Sequence, residues 1–264
     1  MRSGLFRTKF ESHNSAAAFL RRTLVVIPAL NEAACIAETV RTWQAAGADR
    51  IRVVDNASTD ATAQIATAAG ADVLYEPRRG YGAAAWRGLQ DWPSDCDWVL
   101  FSSADGSDRL STQDLTSWEA AVDADADFVI GDRTALRSSR DQLKFTQRLG
   151  NWICVMAIAR GWGRRFRDMG SLRLVRRTAL ERMQLQDRSF GWNVEMQVRA
   201  LELGLKIVEL PVAYYSRTAG ESKISGSLAG TFRAGVGIIR MLLQLYRLKR
   251  VRHPAATTSG VVPA

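Results

Sequence analysis

The sequence predicts an α/β fold, a mostly parallel sheet with helices on both faces, followed by a C-terminal amphipathic helix. Three observations carry this. Short apolar runs recur about 20 to 27 residues apart through the first hundred residues, each followed by a stretch with helical spacing. Polar clusters stand where those runs end. The composition, 47% apolar and 24% charged over 264 residues, allows a full core and excludes global disorder.

The first run, Leu24–Ile27, stops at Pro28 and reads as a buried parallel strand. Asn31 is placed to cap the helix behind it, where Ile36, Val40 and Trp43 repeat at helical spacing. A second strand, 51–54, runs into Asp55. Ser58 or Thr59 then caps a helix carrying Asp60 in its first turn, and Gly70 ends it. A third strand, 72–75, leads through Gly80 and Gly82 to a helix containing Trp86 and Leu89. A fourth, 97–101, arrives at the acidic loop Ala104–Asp108, and a fifth covers 127–130.

Beyond that point the alternation loosens. One long helix over 141–160 gathers Phe145, Leu149, Trp152, Ile153 and Met156 on one face. A strand at 172–175, a helix through Leu180, another from Asn193 to Leu203 and a strand pair over 206–215 follow. The expected organisation is an N-terminal arm (1–22), one domain (23–225), a basic amphipathic helix (226–252) and a frayed tail (253–264). Sheets of this kind bind ligands at the carboxyl ends of their strands. Asn31–Glu32, Asp55–Asn56, Arg78–Tyr81 and Asp105–Asp108 all stand at such ends.

Charge and minor components narrow the function. The net charge of +9 favours anionic partners: nucleotide phosphates, nucleic acid or an acidic membrane surface. Cys35, Cys96 and Cys154 lack metal-ligand spacing and read as buried small hydrophobes in a reducing compartment. His13 and His253 lie in the polar ends, away from any site. The basic first 22 residues contain no apolar stretch resembling a secretory signal, and no segment reaches the 18 to 20 apolar residues, roughly, that span a bilayer. A cytoplasmic protein, free or peripheral at the membrane face, is expected.

Asp55 ends a strand inside VVDNASTDAT, where its carboxylate suits a nucleobase or ribose, or equally a capping turn. Asp105 and Asp108 suit Mg²⁺ or Mn²⁺, ions that keep water and share ligands with substrate phosphates, or else form a solvated acidic turn. Gly80-Tyr81-Gly82 follows the third strand rather than the first, which weakens it as a dinucleotide fingerprint. Trp192 suits either a sugar face or the core. Between Leu228 and Arg250, large aliphatics interleave with Arg233, Arg240 and Arg247, and no acid occurs after Glu221. That composition fits a helix lying on anionic lipid, or one docked on the domain or on a second copy with a solvated basic face. Interleaving with large aliphatics rather than stacking aromatics disfavours nucleic acid.

Taken in order, VVIPALNE (Val25–Glu32), VVDNASTD (Val53–Asp60), EPRRGYGAA (Glu76–Ala84), SADGSD (Ser103–Asp108), FVIGDR (Phe128–Arg133), QRLGN (Gln147–Asn151), RDMGSLRLVRR (Arg167–Arg177), FGWNVEMQ (Phe190–Gln197) and RTAGESK (Arg217–Lys223) resemble the family 2 glycosyltransferases. The resemblance is closest to the dolichyl- and polyprenyl-phosphate sugar synthases and covers roughly residues 23–225. It implies a GT-A type fold, an inverting hexosyltransferase, a nucleoside-diphosphate sugar donor, Mg²⁺ or Mn²⁺, and a polyprenyl phosphate acceptor. By position, Pro28, Asn31, Glu32 and Asp55 would line the nucleoside pocket, with Arg79 also on the nucleotide sugar. Asp105 would hold the metal, with Ser103 at the second ligand position. Arg133 and Arg148 would contact the acceptor phosphate, and Arg217 and Lys223 would close over the donor. Asp105, Glu195 and Arg148 would be the catalytic set, Glu195 as base or as an orienting group.

One departure stands out. Where the family reads Asp-x-Asp, this chain reads Ser103-Ala104-Asp105, removing a charge that at an effective dielectric of about 20 is worth several kcal/mol before desolvation. Reduced metal affinity follows. Two alternatives to the lipid acceptor therefore stand beside it: a soluble phosphorylated acceptor, and donor binding with little turnover.

Overall fold

The computed structural model describes residues 18–215 and 228–252, with the side chains of 228–234 and 250–252 left aside. A helical turn, α1, covers 18–21. It is followed by β1 (Thr23–Ala29), α2 (Ile36–Ala45), β2 (Arg50–Asp55), α3 (Thr62–Ala68), β3 (Asp72–Tyr75), α4 (Tyr81–Gly88) and β4 (Trp98–Phe101). Next come α5 (Thr112–Asp123), β5 (Phe128–Asp132), α6 (Arg137–Gln142), α7 (Phe145–Trp162), β6 (Arg173–Arg176) and α8 (Arg177–Met183). The described elements end with α9 (Trp192–Glu202), β7 (Ile207–Pro211) and α10 (Leu228–Arg252).

The seven strands form one sheet in the order β3-β2-β1-β4-β6-β5-β7. The first four are parallel, as their alternation with helices requires. β6 then enters between β4 and β5, antiparallel to both, while β7 runs parallel to β5. The sheet is therefore mixed. Along β1, Leu24 and Val26 enter one core while Val25 and Ile27 enter the other. The first core is closed by α4, α8, α9 and the inner face of α10, the second by α2, α3 and α5. Both faces are covered, which explains the unbroken apolar runs.

Several expectations need correction. The long helix is two, α6 and α7, separated at Leu143–Lys144. The strand pair over 206–215 is the single strand β7, with only an isolated bridge from Tyr214 to Asp108 beyond it. Phe19 and Leu20 are buried in the second core, so residues 18–22 belong to the domain body rather than the arm. The expected face of α7 is turned outward: Phe145, Leu149, Trp152 and Ile153 are exposed, while Cys154, Val155 and Ile158 pack inward. The three cysteines form no disulfide and are buried as expected, and burial pushes the Cys96 and Cys154 thiols up to about 11.

α10 docks through Met241, Leu242 and Leu245. Glycine notches admit it: a Cβ on Gly191 would lie 2.6 Å from Met241, and one on Gly161 would lie 2.8 Å from the Tyr246 ring. Tyr246 Oη donates to the Ala157 carbonyl at 2.5 Å, and Lys249 Nζ donates to that of Gly161. No helix among the described residues is long and apolar enough to cross a membrane.

Candidate active site

The carboxyl ends of β1 and β2 are joined by side chain to main chain bonds. Asn31 adopts φ 53°, a left-handed conformation that asparagine tolerates better than most residues. Its N–H donates to Ser58 Oγ at 2.9 Å, and its Oδ1 accepts from the Thr59 N–H at 2.7 Å. The Glu32 N–H donates to Thr62 Oγ1 at 2.8 Å. Asn31 therefore links two loops and does not cap α2, whose N-cap is Cys35, with no side-chain capping bond. Likewise Ser58 and Thr59 do not cap α3, which begins at Thr62 behind Ala61. Asp60, just outside that helix, accepts from the Thr62 N–H at 3.0 Å, and these bonds hold its carboxyl below its ordinary value although burial opposes them.

Asp55 is buried at the end of β2, with Oδ1 accepting from the Ser58 N–H at 3.1 Å. The turn-building reading is thus realised, and the carboxylate still stands at the strand end beside Pro28 in β1, since Ala29 is in register with it. Asn56 carries the frame onward. Its Nδ2 donates to the carbonyls of Glu76 and Arg78, and its Oδ1 accepts from the Gly80 N–H at 2.8 Å. Arg79 is exposed above this loop and reaches the Ala57 carbonyl at 3.3 Å.

Gly80 and Gly82 serve a packing role. A Cβ on Gly80 would lie 2.4 Å from the Arg188 carbonyl oxygen, and one on Gly82 2.8 Å from that of Asp187. Here the backbone of α4 meets the 187–189 segment, and Gly82 and Ala83 donate to the Ser189 and Arg188 carbonyls. Glu195 holds the other side of that segment. Buried in the first turn of α9, its carboxylate accepts from the Gln186 N–H at 3.1 and 3.0 Å and from the Asp187 N–H at 2.8 Å. Both oxygens are engaged by main-chain donors, so Glu195, expected as base or orienting group, fixes the 186–187 backbone in this geometry. Trp192 lies in the core, edge-to-face with Phe101 at 6.2 Å, and offers no face to a sugar.

The loop after β4 turns inward. Asp108 is buried and accepts from the Ser103 N–H at 2.7 Å and from Ser171 Oγ at 3.0 Å. Ser103 Oγ and Ser171 Oγ are 2.8 Å apart, closing the triangle. Burial pushes the Asp108 carboxyl up, the neighbouring Asp105 adds to this, and the bond from Ser103 opposes it. Asp105 Oδ1 accepts from the Ser107 N–H at 3.1 Å and from Ser107 Oγ at 2.6 Å. Among the described residues no three His, Cys, Asp or Glu side chains converge, so no all-protein metal cage forms. A hard divalent ion that takes one carboxylate and completes its shell from water and diphosphate oxygens fits Asp105. Ser103, tied to Ser171, fits the role of a ligand less well than the sequence reading expected.

On the acceptor side, Arg133 is locked to Asp168. Nε and Nη2 donate to the two carboxylate oxygens at 2.7 and 2.9 Å, and the Arg133 N–H adds a third bond at 3.0 Å. Burial works against both charges, but their mutual attraction wins, holding the guanidinium above and the carboxyl below their ordinary values. The guanidinium stands 5.3 Å over the ring of Tyr214, whose backbone bridges Asp108. The pair thus abuts the Asp105–Asp108 loop. Arg148 is exposed on α7, one residue from Gln147, which lies near the Tyr214 hydroxyl. Arg217 and Lys223 lie outside the described residues.

Sequence reasoning left Asp168, Ser171, Asn56 and Tyr214 without roles. The first three stand inside motifs already singled out, but their partners lie 35, 63 and 24 residues away in the chain, where local pattern carries no signal. Beneath the site lies the buried Arg173, its three donor groups spent on the Gly170 and Asn193 carbonyls and on Gln197 Oε1. Burial lowers its pKa to about 10 and pushes the neighbouring Tyr81 hydroxyl up to about 12.

Residues 24–184 match the model of glycosyl transferase family 2. An uncharacterized glycosyltransferase of Mycobacterium tuberculosis is 36% identical over 217 residues, covering 80% of this chain and 93% of that protein. The polyprenol monophosphomannose synthase of Mycolicibacterium smegmatis is 28% identical over 228 residues, covering 78% and 82%. Among solved structures, M. tuberculosis glucosyl-3-phosphoglycerate synthase, in complex with Mn²⁺, UDP-glucose and phosphoglyceric acid, superposes with TM-score 0.69 at 21% identity over 94% of this chain and 86% of its own. At that identity the likeness establishes a shared architecture, the GT-A type fold. With the family model spanning most of the domain and a relative above 30% identity across nearly all of it, the chain belongs to glycosyltransferase family 2.

Proposed function

We propose that this glycosyltransferase moves a sugar from a nucleoside-diphosphate donor to a polyprenyl phosphate, with inversion, at the cytoplasmic face of a membrane. One observation carries the reading: Asp55 and the Asp105 loop stand at the same end of the sheet as Arg133, whose guanidinium lies over Tyr214, itself bridged to the loop. An oxygen of the acceptor phosphate attacks the anomeric carbon, the bond to the diphosphate breaks, and the nucleoside diphosphate departs with the electron pair. A phosphate is ionised near neutrality and needs no base, which agrees with Glu195 being engaged by main-chain donors.

Asp105 would hold Mg²⁺ or Mn²⁺ against the donor diphosphate, where a divalent ion offsets the charge developing on the leaving group. Asp55 would face the nucleoside, with Pro28, Asn31 and Glu32 shaping its pocket and Arg79 above. Arg133 and Arg148 would meet the acceptor phosphate, and Arg217 and Lys223 would close over the donor. Guanidinium forks suit phosphate oxygens, which accounts for the residue type. The outward face of α10 supports a peripheral membrane location: Val236, Ile239 and Leu243 are exposed beside Arg240 and Arg247. Each such cation is worth about 1 kcal/mol at an anionic surface. The similarity to a polyprenol monophosphomannose synthase supports the lipid acceptor.

A second reading keeps the enzyme and changes the acceptor to a soluble phosphorylated metabolite. The fold likeness to a synthase complexed with phosphoglyceric acid favours it. The experiment is incubation with a panel of nucleotide sugars, with extracted lipids in one arm and small phosphorylated metabolites in the other, followed by mass spectrometry. A glycosylated polyprenyl phosphate is the expected product. Glycosylation confined to the soluble arm establishes the second reading, and donor binding without any product leaves the chain a binding protein.

A further inference from the structure

α7 is apolar on two opposite faces. Its inner face, with Cys154, Val155 and Ile158, belongs to the core. Its outer face holds Phe145, Leu149, Trp152 and Ile153, exposed at 76%, 45%, 57% and 42%. The spacing i, i+4, i+7, i+8 makes them one continuous stripe about 12 Å long. Large apolar side chains gathered this way mark a surface that meets something. The helix that displays them also builds the acceptor side of the site: Gln147 lies near the Tyr214 hydroxyl, and Asn151 Oδ1 accepts from the Met169 N–H at 2.7 Å, next to Asp168. The stripe therefore starts where the acceptor phosphate would be held, and exposed Arg148 stands within it.

We propose that this outward stripe of α7 seats the first isoprene units of the acceptor, the phosphate lying toward Arg148 and the chain running along Leu149, Trp152 and Ile153. The inference rests on the polyprenyl phosphate reading and assigns its hydrocarbon a place. Charge selects this occupant over a second copy of the chain. Phe145–Trp162 contains no Asp or Glu, so a two-fold contact of α7 on α7 would set Arg148 against apolar surface and its own copy, with no carboxylate of that helix to pair. An anionic head with an apolar tail satisfies both halves of the stripe at once.

The test is a chain-length series of isopentenyl, farnesyl and undecaprenyl phosphate in one detergent, with wild type and Phe145→Ser/Trp152→Ser. Both side chains are exposed, so the melting temperature and the KM for the nucleotide sugar stay unchanged. Wild type favours the longer acceptors. In the variant the KM for farnesyl and undecaprenyl phosphate rises about tenfold or more, the scale of losing partly buried aromatic contacts, while that for isopentenyl phosphate does not move. A variant that keeps the chain-length preference overturns this inference alone. Wild type that uses no prenyl phosphate of any length sinks the acceptor reading and this inference with it. A dimer dissolved by the two substitutions gives the face to a second copy. Loss of anionic-vesicle binding with chain-length preference retained gives it to the bilayer.

Discussion

The two halves of the sheet build their share of the site by different means. On the donor side, β1 and β2 end in short polar turns, and the bonds that shape them run from small side chains to main-chain N–H groups, within one turn or across to the next loop: Asp55 to Ser58, Asn31 to Thr59, Asn56 to Gly80. On the acceptor side the frame is made by buried charged groups, Arg133 paired with Asp168 and Glu195 clamped on the Gln186 and Asp187 amides. Turns of the first kind tolerate the loss of one bond, because each is worth about 1 kcal/mol and has neighbours. A buried charge in the second kind has no substitute. The acceptor side should therefore be the brittle half in stability, and the loop between the halves the sensitive one in catalysis.

The loop gives the largest expected effect. Asp105→Ala should lower kcat by about a hundredfold or more, since it removes charge placement at the leaving group, with a stability loss limited to about 1 to 3 kcal/mol for the Ser107 donors it leaves unpaired. Wild-type turnover with metal still required would take Asp105 out of the reaction. For stability, Asp168→Ala should cost about 3 to 5 kcal/mol in urea unfolding, because Arg133 is left buried and unpaired. The pair also sets a pH dependence. The Asp168 carboxyl is held low in the native state, so between its native and unfolded values the unfolded chain binds more protons. Its contribution is present above the ordinary carboxylate range and lost as pH falls through the native value. Asp168→Asn should flatten that acid limb, and an unchanged slope would show that Arg133 does not govern it.

A smaller change separates positioning from catalysis. Glu195→Gln keeps the shape but weakens the grip on the Gln186 and Asp187 amides, and should cost about 1 to 3 kcal/mol. Its kcat should fall modestly with the same pH profile; loss of the acid limb from that profile would return Glu195 to the role of base. The smallest effect is expected at Ser103. Ser103→Asp should tighten Mn²⁺ in calorimetric titration with nucleoside diphosphate present, by about tenfold at most, because the added carboxylate must share the space of Asp108. Affinity that stays level or falls would mean that the Ser103–Ser171–Asp108 triangle has replaced the missing charge.

The contrast between the halves also explains what was legible beforehand. The strands from β1 to β5 stood within two residues of the expected positions, because each is a buried apolar run ended by a turn residue. Gly70 ended its helix as expected, with φ +91°. The caps were misjudged, since Asn31, Ser58 and Thr59 bond across to each other's loops rather than to the helices beside them. The outward face of α7 was not legible as such: a helix apolar on both sides gives no pattern to say which side turns in. Arg133 was singled out but not its partner, and the engagement of Glu195 by the main chain depends on a loop no local pattern describes.

The sheet order carries a consequence for how the chain is made. β6 occupies the slot between β4 and β5 but is synthesised after both. Until residues 173–176 emerge, the far edge of β4 has no neighbour, and β5 has no strand between it and the sheet on which to build. That waiting edge is WVLF, every residue of which ends fully buried. A nascent chain halted between residues 132 and 173 would expose an apolar strand edge open to pairing with any other chain, the exposure that recruits chaperones. Insertion of β6 is thus the step that commits the two halves to one another, and the last point at which they can be kept apart.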